Sequence, residues 1–181
     1  ITSSKGSKIN MHEELEDAKK SRISDRDYNS KVILQMTEII STNPNDCKAY
    51  VMRGNNYLDA GKLGEAISDL TKAIELDPTN PMVFNNRGVA YRRASDKEKA
   101  LADFAQAIEI TPDYREAYNN RGMVLADNYE YEEAITEFTK AIEIDSDYWY
   151  AYNNRAMSKW ALGDRKGAES DYKVVSKYMS G

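Results

Sequence analysis

The chain has 181 residues, 25 Lys and Arg against 30 Asp and Glu, and a formal net charge of −5, with a sequence pI of about 5.1. No basic run is dense enough to neutralise a row of phosphates, so nucleic acid is not expected among its partners. A single cysteine, Cys47, and a single histidine, His12, exclude an internal disulfide and a Cys/His metal cluster. No apolar run approaches the roughly 20 residues of a membrane span, so no membrane insertion is expected. The absence of a signal-peptide pattern favours the cytoplasm, although a chain that begins at Ile1 is compatible with a removed export signal.

Residues 1–10 read as a polar amino-terminal tail, and residues 11–43 as a degenerate capping pair of helices. The first of the pair is expected at about Met11 to Ile23, with His12 on a charged, solvated face. The second lies in "DRDYNSKVILQMTEIISTNP", where Val32, Ile33, Met36, Ile39 and Ile40 recur at helical spacing before Pro44. Residues 44–181 then repeat one pattern four times. Tyr50, Phe84, Tyr118 and Tyr152 stand 34 residues apart, as do Gly54, Gly88, Gly122 and Ala156; Tyr57, Tyr91 and Leu125 form a third column. These columns are separated by four and then three residues, which places them on one face of a helix. A small residue in the middle column marks where a partner helix comes closest.

Each unit then breaks, at Gly61, Ser95, Asn128 and Gly163, all turn chemistry. A second apolar stripe follows: Ala66, Ile67, Leu70, Ala73 and Ile74 in the first unit, with Phe104 and Phe138 replacing the leucine in the next two. Pro78 and Pro112 close two of these helices, and Ser146 stands at the same place in the third unit. In the last unit Glu169 and Ser176 replace residues that earlier face the next repeat, which predicts a polar end to the stack.

A two-helix unit of 34 residues with an early aromatic, a small residue, a Tyr, a second-helix Ala and aromatic, and a closing Pro resembles the tetratricopeptide repeat. The resemblance covers residues 44 to about 179. It departs in carrying Arg where leucine is expected beside the small residue, and Lys159 in place of the last Tyr. It implies an all-α fold, an α-solenoid of antiparallel helix pairs forming a right-handed superhelix, with the first helices lining a concave groove that takes an extended peptide or a partner helix. Helical phase puts Asn55, Asn85, Val89, Arg92, Asn119, Met123, Asn153, Met157 and Trp160 on the groove side. Asn86, Asn120 and Asn154 fall at its edge. An amide meets a peptide N–H and C=O together, so the asparagines read as a row gripping a ligand backbone; alternatively the edge column bonds to the adjacent first helix and fixes stacking.

Arg53, Arg87, Arg121 and Arg155 flank the packed face, and Asp69, Asp103, Glu137 and Asp171 recur with the same period on the second helices. A column of structural ion pairs is expected, since a guanidinium so placed is costly if unpaired. The family's carboxylate clamp for chaperone tails is matched by Asn55 and Asn86 but not by Val51, Glu116 and Asn120, so a chaperone tail is not the expected ligand. No catalytic residue, metal ligand or cofactor is expected, because no histidine in the repeats can activate Cys47. The expected function is a non-enzymatic interaction module for a protein or peptide. Two alternatives are a self-assembling scaffold whose groove is filled by its own or a neighbour's amino-terminal helix, and a regulatory or substrate-presenting repeat region of a larger enzyme.

Overall fold

The computed structural model describes the backbone of residues 11–179 and the side chains of residues 27–179. Among the described residues there are nine α-helices and no strand: α1 (Met11–Thr42), α2 (Cys47–Asp59), α3 (Leu63–Leu76), α4 (Pro81–Arg93), α5 (Lys97–Ile110), α6 (Arg115–Asp127), α7 (Tyr131–Ile144), α8 (Trp149–Ala161) and α9 (Arg165–Met179). The expected amino-terminal tail and the surroundings of His12 lie outside the described residues.

The expected pair of helices over residues 11–43 is instead one helix of 32 residues, α1. Two features of the sequence account for this. Between Ile23 and Tyr28 there is no Gly or Pro to end a helix, only polar residues that a helix accepts. In addition, Glu16 and Lys20 occupy the positions that elsewhere carry an aromatic and a small residue, so nothing apolar draws a first helix back onto a second. The carboxyl-terminal half of α1 still packs as a second helix does, with Val32 and Met36 buried against Ala49 of α2.

From α2 onward the chain is a run of antiparallel hairpins. Asp46, Asn80 and Asp96 cap α2, α4 and α5 by accepting the N–H of Ala49, Met82 and Lys99, and Pro81 opens α4 where no donor is needed. Between the helices of each unit one residue takes a left-handed conformation, at Gly61 (φ 74°), Ser95 (φ 61°), Tyr129 (φ 65°) and Gly163 (φ 85°). In the third unit this position is one residue beyond Asn128, whose side chain caps back to the Val124 carbonyl at 2.8 Å. Glycine carries the conformation without strain at the first and last of these turns, whereas Tyr129 tolerates it with its ring in solvent.

Inside each hairpin the second helix inserts a large side chain over the small residue of the first. Phe104 and Phe138 are fully buried, each worth about 2–3 kcal/mol of apolar transfer. A Cβ on Gly88 would stand 2.7 Å from the Phe104 ring, and one on Gly122 would stand 2.7 Å from Phe138. The glycines are thus fixed by the phenylalanines. Where the last unit carries Ala156, the counterpart aromatic, Tyr172, is turned to solvent.

The first helices α2, α4, α6 and α8 touch one another in sequence, whereas α3, α5, α7 and α9 make no such contacts. The stack therefore bends toward the first helices, which line its concave face. No helix of the described residues is long and apolar enough to cross a membrane.

Candidate binding groove

The asparagines form a ladder along the concave side. Nδ2 of Asn120 donates to Oδ1 of Asn85 at 2.9 Å, and Asn154 donates to Asn119 at 2.9 Å. Val51 occupies the acceptor position of the first unit, and Asn86 reaches one turn further to Asn55 at 2.9 Å. Each bond joins the first helices of neighbouring units. Asn85 and Asn119 are only 6% and 4% exposed, so the expectation that they face a ligand backbone is corrected: curvature brings the next first helix over them. Asn153 stands on α8, the last first helix among the described residues, and its amide approaches the Met157 sulfur at 3.8 Å. Val89 is likewise half-buried core, packed against Leu58 and Ala90. Arg92 lies at the groove wall, but its Nε is held by Asp127 of the next unit at 2.7 Å.

On the other side of the first helices, each arginine of the conspicuous column meets a carboxylate of its own unit. Arg53 binds Asp69 through Nε and Nη2 at 2.7 and 2.8 Å, and Arg87 binds Asp103 and Arg155 binds Asp171 in the same two-pronged way. In these three units Nη1 also donates to a threonine on the preceding unit's second helix, Thr37, Thr71 or Thr139, at 3.0 Å. Each guanidinium thus ties its own hairpin together and joins it to the one before, and aromatic rings at Tyr50 and Tyr57, or Phe84 and Tyr91, flank it. This is why arginine stands where a leucine was expected. Lys159, in place of the last Tyr, adds a second cation to Asp171 at 2.8 Å. Burial works to raise the Asp171 pKa, but hydrogen bonds from Arg155 and Lys159 outweigh it and hold the carboxyl below its ordinary range.

The third unit breaks the pattern. Glu137 replaces the aspartate and takes both of its contacts from Nη2 of Arg121, while Ala105 stands where the threonine should be. Nε of Arg121 is left buried without a partner.

The surface left open on the concave side is concentrated between α6 and α8. A depression of about 300 Å³ lies there, lined by Met123, Ala126 and Asp127 of α6 and by Asn154, Met157 and Ala161 of α8. Met157 is 57% exposed, and Trp160, one turn further along α8, is 49% exposed. Arg165 stacks on the Trp160 ring at 3.5 Å. Helical phase also places Ala126 and Asp127 on the groove side, whereas neither Ala161 nor Arg165 is singled out by the sequence pattern, because the residues in phase with them differ in character from unit to unit.

Among the described residues no group of His, Cys, Asp and Glu is arranged to hold a metal ion. Burial first, then the carboxylates of Asp77 and Asp46, pushes the Cys47 thiol up, against the effect of the helix start, and Sγ points at the Ala73 carbonyl at 3.5 Å.

A sequence profile described as "TPR repeat" matches residues 54–95 and 130–163, and profiles described as "Tetratricopeptide repeat" match 81–114 and 115–144. The first TPR of Spaghetti (RPAP3), solved bound to the HSP90 peptide SRMEEVD, is 30% identical over 65% of this chain and 93% of its own, with a TM-score of 0.62. The chain belongs to the tetratricopeptide repeat family. No curated protein sequence matches it. The tetratricopeptide stack is also similar to crystalline MamA, at 25% identity over 82% of this chain and 86% of that one with a TM-score of 0.74. The first TPR domain of human RPAP3 in solution is 29% identical over 68% of this chain and 98% of its own, with a TM-score of 0.63. The fold expected from the repeated columns, an all-α solenoid of hairpins, is the fold observed.

Proposed function

We propose that this tetratricopeptide array is a non-enzymatic binding module that holds a segment of another protein on its concave face, mainly between α6 and α8. The observation that carries the reading is the open apolar depression there, lined by Met157, which is left in solvent, with the exposed Trp160 three residues further along α8. Exposed large apolar side chains around a concave patch are the usual mark of a recognition site, and methionine adapts to varied partners. The first TPR of RPAP3 was solved bound to a peptide ending in EEVD, but Val51, Glu116 and Asn120 stand where a carboxylate clamp needs basic side chains, so this groove does not hold a chain-terminal carboxylate at those positions.

The test is a footprint. Hydrogen exchange or amide chemical shifts, recorded with a peptide selected from a random library, should change on α6 and α8. A footprint confined to α3, α5 and α7 would overturn the reading.

A second reading rests on α1. Tyr28 and Leu34 are 65% and 62% exposed on α1, a helix that pairs with no first helix of its own among the described residues, which suits a self-assembling scaffold. Light scattering separates the two, since that reading requires a mass above one chain at micromolar concentration.

A further inference from the structure

Beyond α8, among the described residues, one guanidinium has an aromatic ring for a neighbour and no carboxylate. Side chains of Arg53, Arg87, Arg121 and Arg155 are taken by carboxylates of their own units, Arg92 by Asp127, Arg93 by the Leu58 carbonyl and Arg115 by Asp145. Among the described residues Arg165 alone of the arginines donates no side-chain hydrogen bond. Its guanidinium carbon lies over the Trp160 ring, 3.5 Å from the centroid, and the neighbouring Asp164 is turned to the first turn of α9, where it accepts the Gly167 N–H at 2.9 Å. Stacking on an indole fixes the plane of the guanidinium and leaves its edge, the fork that pairs with a carboxylate, facing outward. Arg165 is also aperiodic: Leu63, Lys97 and Tyr131 occupy the equivalent positions.

We propose that the groove selects an acidic-apolar segment: a large aliphatic or aromatic side chain seated between Met123 and Met157, with a carboxylate a few residues away paired to Arg165 beside Trp160. This rests on the groove reading above and adds the chemistry of the occupant. Residues three or four apart on a helix present side chains about 5–6 Å from each other. Met157 and Trp160 are so spaced on α8, Arg165 at the start of α9 lies against the Trp160 ring, and an extended peptide at about 3.3 Å per residue covers such a separation in two to four residues. The apolar seat supplies most of the affinity, and the carboxylate sets direction and discriminates among apolar peptides. A segment bearing lysine or arginine at that position is rejected by the same cation.

The experiment uses three fluorescein-labelled heptapeptides of Ser and Gly, each with one leucine followed two residues later by two Glu, two Gln or two Lys. Fluorescence anisotropy reads their binding to the wild-type chain, to Arg165→Glu and to Met157→Ser. Both substituted positions are exposed, so the stack stays folded. The Glu peptide should bind the wild type about tenfold more tightly than the Gln peptide. Arg165→Glu should abolish that preference and favour the Lys peptide, while Met157→Ser should weaken all three. Equal binding of the Glu and Gln peptides, unchanged by Arg165→Glu but with a footprint on α6 and α8, would overturn this proposal and leave the groove reading standing. No binding by any of the three, or a footprint elsewhere, would overturn both.

Discussion

The two sides of the first helices carry polar columns with the same 34-residue period. On one side arginines bridge three helices through two-pronged bonds to Asp and a third bond to Thr. On the other, asparagine amides pass one hydrogen bond each from unit to unit. Both columns join the stack, but they differ in strength and in what they leave exposed. The arginine side is filled by charge and aromatic rings, apart from a depression of about 440 Å³ beside Arg121 and Glu137, where the third unit breaks the pattern. The asparagine side uses small neutral groups that lie close to the helix surface, and so leaves a trough open to a partner, lined by Met123 and Met157, whose column carries Asn55 and Val89 in the first two units, and flanked by Trp160 and Arg165, which have no like counterparts. In this molecule periodic polar residues hold the units together, and departures from the period mark the surface free to bind.

The largest way to break the comparison is on the arginine side. Asp103→Ala leaves Arg87, 16% exposed, without its carboxylate. It should cost about 3 kcal/mol, the usual penalty for stranding one partner of a buried pair, read from urea unfolding. A loss below about 1 kcal/mol would place the clasp among ordinary surface ion pairs.

The smallest effect sharpens it. Ala105→Thr restores to Arg121 the hydroxyl acceptor that Thr37, Thr71 and Thr139 give the other units. The position is exposed and can take the added atoms. The gain should be about 0.5–1 kcal/mol, with no gain from Thr at Ala102, which is also exposed but out of phase. Equal effects at the two sites would show that the threonine contact is incidental.

Much of this was legible from the sequence. The helices, their order and the pairing of the small residue with the large second-helix residue follow from spacing alone, as at Gly88 and Phe104. The arginines could be matched to their acids because the two columns share a period and a buried guanidinium requires a partner. The asparagines could be placed on the concave side, but the sequence left their role open between gripping a ligand backbone and bonding the adjacent first helix, and the edge column does the latter. Whether Asn85 and Asn119 face a ligand or the next helix depends on how tightly successive units curve, a property of the stack that no single unit's pattern contains. The adjacent asparagines were the available signal, since the second of each pair in one unit lies one position beyond the first of the pair in the unit before. Arg165 was missed for the opposite reason: it has no counterparts, and its meaning comes from the ring it stacks on. The single long α1 was missed because a helical pattern was read as stopping where no residue stops it.

The most direct test of the central claim measures stability and peptide affinity on one variant, Asn86→Ala with Asn120→Ala. Both amides donate across unit boundaries, and neither lines the depression between α6 and α8. Losing the two donors strands the Asn55 and Asn85 oxygens and should lower stability by about 2 kcal/mol, while affinity for a groove-bound peptide stays within about twofold, measured where the variant is fully folded. Unchanged stability with affinity reduced about tenfold or more would make the asparagines the ligand's partners and contradict the account.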